Sequence, residues 1–245
     1  MAQAIAHARV NGEFHMLMST TGRLTSAAVA TVAGLAVLAP AAHAVEQGPA
    51  KPAAKLTVAG YTKYLQTQKS PEAKLALKKF LKLNKGQKAV FVKDLQDRRI
   101  YRALLSQARG PIGKPVSITD PHNKEVRFVT KVSSTVAKDK YRTTTVRFTV
   151  TEEIFKIPVT SETLTFSYAT AGDGPRKTVG SAKVTNVNAA IAIKNNPRVS
   201  IKGKLAQTRW VATPQVKSFG KAVVKKQDIH GNKATFRAFL GNIDD

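Results

Sequence analysis

The stretch that decides the fold is VRFVTKV at residues 126–132. In it every second residue is apolar or threonine, and Arg127 and Lys131 lie between them. Two later stretches, VRFTV at 146–150 and LTFSY at 164–168, show the same period of two. Because successive side chains on a β-strand point to opposite faces of a sheet, these stretches predict three strands, each with one buried face.

The same period continues towards the end of the chain, with turns rich in Gly, Asn and Pro between the stretches. Further strands are predicted at 205–212, 216–224 and 234–240, and turns at 171–175, 195–197 and 230–232. No helical stretch separates these strands. Residues 116–245 are therefore predicted to form an antiparallel β-sandwich or open barrel.

A helical unit is predicted before this domain, at 56–110. Ser70, Pro71 and Glu72 are typical of a helix start, and the leucines and lysines that follow them predict an amphipathic helix closed at residues 84–86. Further helices are predicted around 58–65, at 91–95 and after Asp97, and the unit is predicted to end at 109–111. The predicted fold class is α+β, with this short unit followed by the β domain.

An export signal is predicted at Met16–Ala44, with Met16 or Met18 as a possible start. The segment has an uncharged, largely apolar core at 27–38 and a small-x-small site at 42–44. Residues 45–55, rich in Ala, Pro and Gly, are expected to form a flexible tether. We therefore expect a secreted protein, extracellular or loosely associated with the cell wall.

Net charge is the strongest clue to a partner. The chain carries +25, and loss of residues 1–44 would remove two basic residues and one acidic residue, which leaves +24. This charge predicts binding to anionic polymers or surfaces: the cell wall, or alternatively nucleic acid or anionic lipid. The candidate anion-binding residues are Lys74, Lys78, Lys82, Lys202, Lys204, Lys217, Lys221, Lys225 and Lys226.

Motifs for catalysis are absent from the sequence, and so is cysteine. No catalytic residue, metal ligand set or cofactor is predicted. A zinc site would need His122, His230 and an aspartate to converge, and the sequence gives no sign that they do. Two alternatives to a non-catalytic role remain open. One is an extracellular hydrolase that uses a lone histidine or carboxylates, such as Glu152 with either Glu162 or Asp173. The other is a secreted protein-binding or inhibitor module.

A resemblance extends over residues 56–245. The helical stretch FLKL at 80–83 with Phe91 and LQD at 95–97, followed by the strand LTFSY and the TRW segment at 208–210, resembles small secreted actinobacterial proteins of unknown function. The chain departs from that pattern at Arg98, where the pattern has proline. The resemblance implies export and no catalytic residues.

Overall fold

The computed structural model describes residues 54–170 and 178–243. The predicted signal peptide at 16–44, nearly all of the predicted tether at 45–55, and the predicted turn at 171–175 lie outside the described residues. These three assignments stay predictions.

Four helices open the described part, and each begins at a side-chain cap. They are α1 Val58–Thr67, α2 Pro71–Leu81, α3 Lys85–Leu95 and α4 Arg98–Ala103, capped by Thr57, Ser70, Asn84 and Asp97. Three of these helices meet through the rings of Tyr61, Phe80 and Phe91, whose centroids lie 5.0–5.5 Å apart. The predicted starts at Ser70 and Asp97 are confirmed. Asn84 begins α3 instead of closing α2, because its side chain and that of Gln87 form a reciprocal capping box.

The cap at Ser70 gives a direct test of local helix stability. Its Oγ accepts a hydrogen bond from the backbone N–H of Ala73. We expect Ser70→Ala to lower the free energy of unfolding by about 1 kcal/mol, because it leaves that N–H without its acceptor. Urea unfolding followed by circular dichroism measures the change. Ser117→Ala, at an exposed strand position, is the control and should change the free energy of unfolding by less than about 0.5 kcal/mol.

The remaining described chain forms two antiparallel sheets. Their strands are β1 Ser106–Pro111, β2 Val116–Pro121, β3 Val126–Val136, β4 Thr143–Ile154, β5 Ile157–Ala169, β6 Val179–Asn186, β7 Ile191–Ile193, β8 Val199–Lys202, β9 Leu205–Pro214, β10 Val223–Gly231 and β11 Thr235–Asn242. One sheet has the order β2-β3-β4-β5-β6. The other has the order β1-β11-β10-β9-β7, and β8 also pairs with β9. The predicted β-rich, sandwich-like domain is confirmed at this level.

Three predicted boundaries are wrong. Residues 106–111 form strand β1, which pairs with β11, so the helices end at Ala103 and not at residue 110. Residues 216–224 are not one strand, because a 3-10 helix at Lys217–Phe219 precedes β10. The predicted turn at 230–232 starts too early, since β10 continues to Gly231.

Apolar side chains from both sheets fill the space between them. Phe148 and Phe166 from one sheet and Trp210 and Phe236 from the other are all buried. The helices dock on this unit, with α2 against β5 and α4 against β10. Within the described ranges, none of the helices combines the length and the apolar character needed to span a membrane.

Gln96, just after α3, joins three parts of the chain. Its Oε1 accepts hydrogen bonds from the backbone N–H of Leu56 at 2.7 Å and from the Oγ of Ser218 at 2.7 Å. Its Nε2 donates to the carbonyl oxygen of Leu56 at 3.1 Å and to that of Val92 at 2.7 Å. Gln96 is buried, so these bonds hold the residues ahead of α1 against both α3 and the 3-10 helix.

Candidate functional site

The lysines predicted to bind anions lie on four separate parts of the fold. Lys74, Lys78 and Lys82 are exposed at the predicted helical spacing, the first two on α2 and the third at its C-cap. The other exposed members are Lys202 at the end of β8, Lys204 in the turn that follows, Lys217 in the 3-10 helix, and Lys221 in the loop before β10. The structure therefore does not bring the set together as one site.

Lys225 and Lys226 have opposite environments although they are neighbours on β10. Lys226 is half-buried on the outer face of the sheet, and its Nζ lies 3.1 Å from Oδ2 of Asp228. Lys225 points between the sheets and is 0% exposed. The prediction that Lys225 belongs to an exposed basic surface is wrong, because strand alternation places it on the same inward face as Val223 and Gln227.

Buried partners surround the ammonium group of Lys225. It donates to the carbonyl oxygen of Leu104 at 2.8 Å, to that of Arg102 at 3.3 Å, and to Oδ1 of Asn242 at 3.1 Å. It also lies 5.0 Å from the ring centroid of Tyr101. Lys225 thereby ties the end of α4 to the six-stranded sheet.

Two glutamates face this lysine from the other sheet. Glu152 on β4 is 1% exposed and Glu162 on β5 is 0% exposed. The hydroxyl of Tyr101 donates a short hydrogen bond to Oε1 of Glu162. Among the described residues, Oε2 of each glutamate has no hydrogen-bond partner. We call Tyr101, Glu152, Glu162 and Lys225 the buried polar cluster.

Gln227 connects the buried polar cluster to the apolar core. Its Oε1 accepts a hydrogen bond from Nε1 of Trp210 at 2.9 Å. Its Nε2 donates to the carbonyl oxygens of Phe148 at 3.2 Å and Glu162 at 3.3 Å. These bonds satisfy the polar atoms of both Gln227 and Trp210 in the core, and the two contacts of Nε2 also cross between the sheets.

Burial dominates the protonation of the cluster. It raises the pKa of Glu152 to about 8, an effect that the charge of Lys225 opposes and that Glu162 and Asp94 reinforce. Burial raises the pKa of Glu162 to about 7, against the charge of Lys225 and the hydrogen bond from Tyr101. Burial lowers the pKa of Lys225 to about 8, while both glutamates oppose this change. Near neutral pH the cluster therefore holds a proton on at least one carboxyl group.

A polymer cannot reach these carboxyl groups. Both glutamates are closed off between the sheets, whereas a glycosidase needs two acids on either side of a bound sugar. The arrangement can store and release protons, and it couples the packing of the sheets to pH. His122 and His230, the other candidates for a hydrolase, are exposed. The described residues contain no group of three or more His, Asp or Glu side chains that could hold a metal ion.

The outer face of the five-stranded sheet carries exposed cations. Lys131 on β3, Arg147 on β4 and Lys183 on β6 all point outward. Among the described residues, none of the three forms an ion pair. Glu153, the one acid on this face in the described strands, is held by Arg127 at 2.6 Å. The face therefore presents positive charge with little to offset it.

Hydroxyl groups occupy the space between these cations. Three cross-strand pairs join β4 to β5: Thr145 with Ser167 at 2.8 Å, Thr149 with Thr163 at 3.0 Å, and Thr151 with Ser161 at 2.9 Å. In each pair one hydroxyl donates to the other, so the second hydroxyl keeps its proton for an outside acceptor. We call these pairs, together with Lys131, Arg147 and Lys183, the hydroxyl–cation face.

A cavity of about 560 Å³ lies at the edge where β1 meets β2 and β3. Leu105, Ile118 and Phe239 are exposed apolar residues that line it. Its wall also includes six polar residues: Ser106, Gln107, Thr119, Asp120, Thr130 and Asn242. This mixed lining differs from the contiguous apolar patch that is typical of a protein-docking surface.

The predicted set of anion-binding lysines does not include Lys131, Arg147 or Lys183, and Glu152 and Glu162 are considered only as carboxylates of a possible hydrolase. The alternation of β4 predicts that Arg147 points outward, because the buried residues Phe148 and Val150 lie on the other face of this strand. The approach of Glu162 to Lys225 has no such signal, because it depends on how two sheets stack. A comparison of the sequence with protein-family models and with curated proteins finds no match.

Proposed function

We propose that this chain is an exported, non-catalytic protein that binds anionic polymers of the cell surface through its hydroxyl–cation face. The observation that carries the proposal is the set of three cations, without ion pairs among the described residues, that lie between outward hydroxyl donors on one sheet. In this proposal the helices and the two sheets form one α+β fold, and the sandwich serves as a rigid support for the face. The net charge of +25 supports the same role.

The chemistry of the face suits a phosphate- or carboxylate-bearing chain. Lysine and arginine supply charge, and hydroxyl groups supply short-range donors to anionic oxygens. Because the cations are exposed, their attraction is screened by salt, with a Debye length of about 8 Å at physiological ionic strength. Binding should therefore weaken steeply as salt rises, while the folded state stays intact.

The test replaces the three cations of the face together. We expect K131Q/R147Q/K183Q to leave cells at a lower salt concentration than the unchanged protein, because it removes three positive charges from one surface. Cells that export each protein are washed with rising NaCl, and the eluted protein is quantified by immunoblot. Purified teichoic acid, DNA and anionic vesicles are then compared as binding partners.

The matched control is K74Q/K78Q/K82Q on the helical unit, which removes the same charge from exposed positions. This variant should leave the cells at nearly the same salt concentration as the unchanged protein. Equal shifts for both variants would show that net charge, and not this face, is responsible. A protein that is never cell-associated at low salt would overturn the proposal altogether.

A further inference from the structure

Two arginines and a histidine form a row across the outer face of the six-stranded sheet. Arg109 on β1 lies directly opposite Arg237 on β11, and Arg237 lies directly opposite His230 on β10. All three side chains are exposed, while their strand neighbours Ala108 and Ala238 point into the core. The row therefore belongs to the solvent side of the sandwich.

The pairing of the two arginines is unfavourable without a counter-charge. Residues directly opposite on antiparallel strands have Cβ atoms about 5 Å apart, and like charges at this distance repel. Within the described chain, neither guanidinium group has an ion-pair or hydrogen-bond partner. An anion with two or more oxygens would relieve the repulsion, and the planar fork of arginine suits a phosphate or carboxylate group.

A second row, two residues along the same strands, adds an aromatic ring to this surface. Gln107 pairs with Phe239, and Phe239 pairs with Asp228. The Phe239 ring lies so closely over Gly241 that a Cβ at this position would overlap the ring. Phe239 is 42% exposed. A ring laid against glycine backbone, and partly open to solvent, can stack against the apolar C–H face of a sugar.

Both rows line one cavity of about 340 Å³. Asp228 also borders it, and its Oδ1 atom is buried without a hydrogen-bond donor among the described residues. The exposed amide of Gln107 is a polar group of the kind that binds sugar hydroxyls, whereas Oδ2 of Asp228 is already paired with Lys226 at 3.1 Å. Two arginines in one row and an aromatic ring with an amide in the next row suit a small molecule that carries both an anionic group and a ring.

We propose that the cavity formed by Arg109, Arg237, His230, Gln107, Phe239 and Asp228 binds an anionic sugar. The phosphate or carboxylate group of the sugar contacts the two arginines, and the ring of the sugar lies on Phe239. This site is on the sheet opposite the hydroxyl–cation face and does not depend on it. The anion is a phosphate ester or a uronic carboxylate, and the test distinguishes these two sources.

Isothermal titration calorimetry with the purified chain uses four probes: glucose 1-phosphate, glucuronic acid, glucose and inorganic phosphate. We expect glucose 1-phosphate or glucuronic acid, whichever anion the site accepts, to bind at least about tenfold tighter than either glucose or inorganic phosphate. Inorganic phosphate that binds as tightly as both anionic sugars would overturn the proposal, because the sugar platform would then contribute nothing. Failure of both anionic sugars to bind would also overturn it.

Single substitutions test separately the part of the site that holds the anionic group and the part that holds the sugar ring. Arg237→Gln should weaken the better anionic sugar about tenfold or more, as expected for loss of a charged hydrogen-bonding group. Arg198→Gln, which removes the same charge from an exposed position outside both proposed sites, should change this affinity less than about twofold. Phe239→Ala should weaken the anionic sugar and leave inorganic phosphate unchanged. Equal losses for Arg237→Gln and Arg198→Gln would show diffuse charge attraction and overturn the site.

Both substituted side chains of the site are exposed, so their removal should leave the fold intact. Thermal unfolding of each variant checks this. The elution of Arg237→Gln from cells distinguishes this proposal from the proposed function. Normal cell association with lost sugar binding supports two separate sites.

Discussion

Lys225→Met is expected to lower the free energy of unfolding by about 3–5 kcal/mol, the usual cost of removing one partner from a buried charged group. The substitution keeps an unbranched side chain that is only one atom shorter, but it leaves the carbonyl of Leu104 and Oδ1 of Asn242 without this donor. It also removes the positive charge that favours ionisation of Glu152 and Glu162. Urea unfolding at pH 7 measures the loss.

The neighbouring residue provides a matched control. Lys226→Met removes the same charge one position along β10, where the ion pair with Asp228 faces solvent, and should cost at most about 1 kcal/mol. If both substitutions cost the same, Lys225 is not a structural centre of the fold. The double variant K225M/E162Q should cost less than the sum of its single changes, because the two groups interact.

Stability should fall as pH rises from 5 to 7, opposite to the usual acid sensitivity of proteins. Glu152 has an ordinary pKa of 4.5 and a folded pKa of about 8. The stability that the folded protein gains by keeping Glu152 protonated is therefore complete below pH 4.5 and is lost as the pH rises through about 8. The slope is about 1.4 kcal/mol per pH unit for each carboxyl that keeps its proton on folding, so one carboxyl gives about 3 kcal/mol over this range. The lowered pKa of Lys225 makes the stability rise with pH, but only above about pH 8.

Glu152→Gln isolates this effect, because its amide cannot ionise. The variant should reduce the slope of unfolding free energy against pH by about 1.4 kcal/mol per unit between pH 5 and 7. Glu153→Gln, on the outer face of the same strand, should leave the slope nearly unchanged. A slope that is the same in Glu152→Gln as in the unchanged protein would contradict the assignment. Urea unfolding at several pH values supplies the measurement.

Local patterns predicted most of the elements correctly. The strands around Phe128, Phe148 and Phe166 follow from alternation alone, since each places its apolar residues on one buried face. The start of α2 follows from Ser70 and Pro71. Errors occur where a residue suits two roles. Asn84 is as suitable for a helix start as for a helix end, and the capping partner Gln87 decides between them.

Strand register and sheet stacking could not be predicted. Arg109 lies in a stretch without alternating apolar residues, and only its pairing with β11 places it opposite Arg237. Lysine is rarely fully buried, so composition argues for exposure of Lys225 even though its strand position points inward. The buried polar cluster needs both facts together: the inward direction of β10 and the presence of two glutamates on the facing sheet.

The hydrogen bonds of Gln96 affect how the protein responds to a pulling force. A pull on the chain ahead of Leu56 would first load the side-chain bonds between Gln96 and the Leu56 backbone, together with the bond from the Ser218 N–H to the carbonyl oxygen of Ala54. The load would then pass into α3 and the 3-10 helix before it reached the strands of either sheet. Tension applied at this end would therefore tend to peel away the helices first and leave the two sheets to yield last.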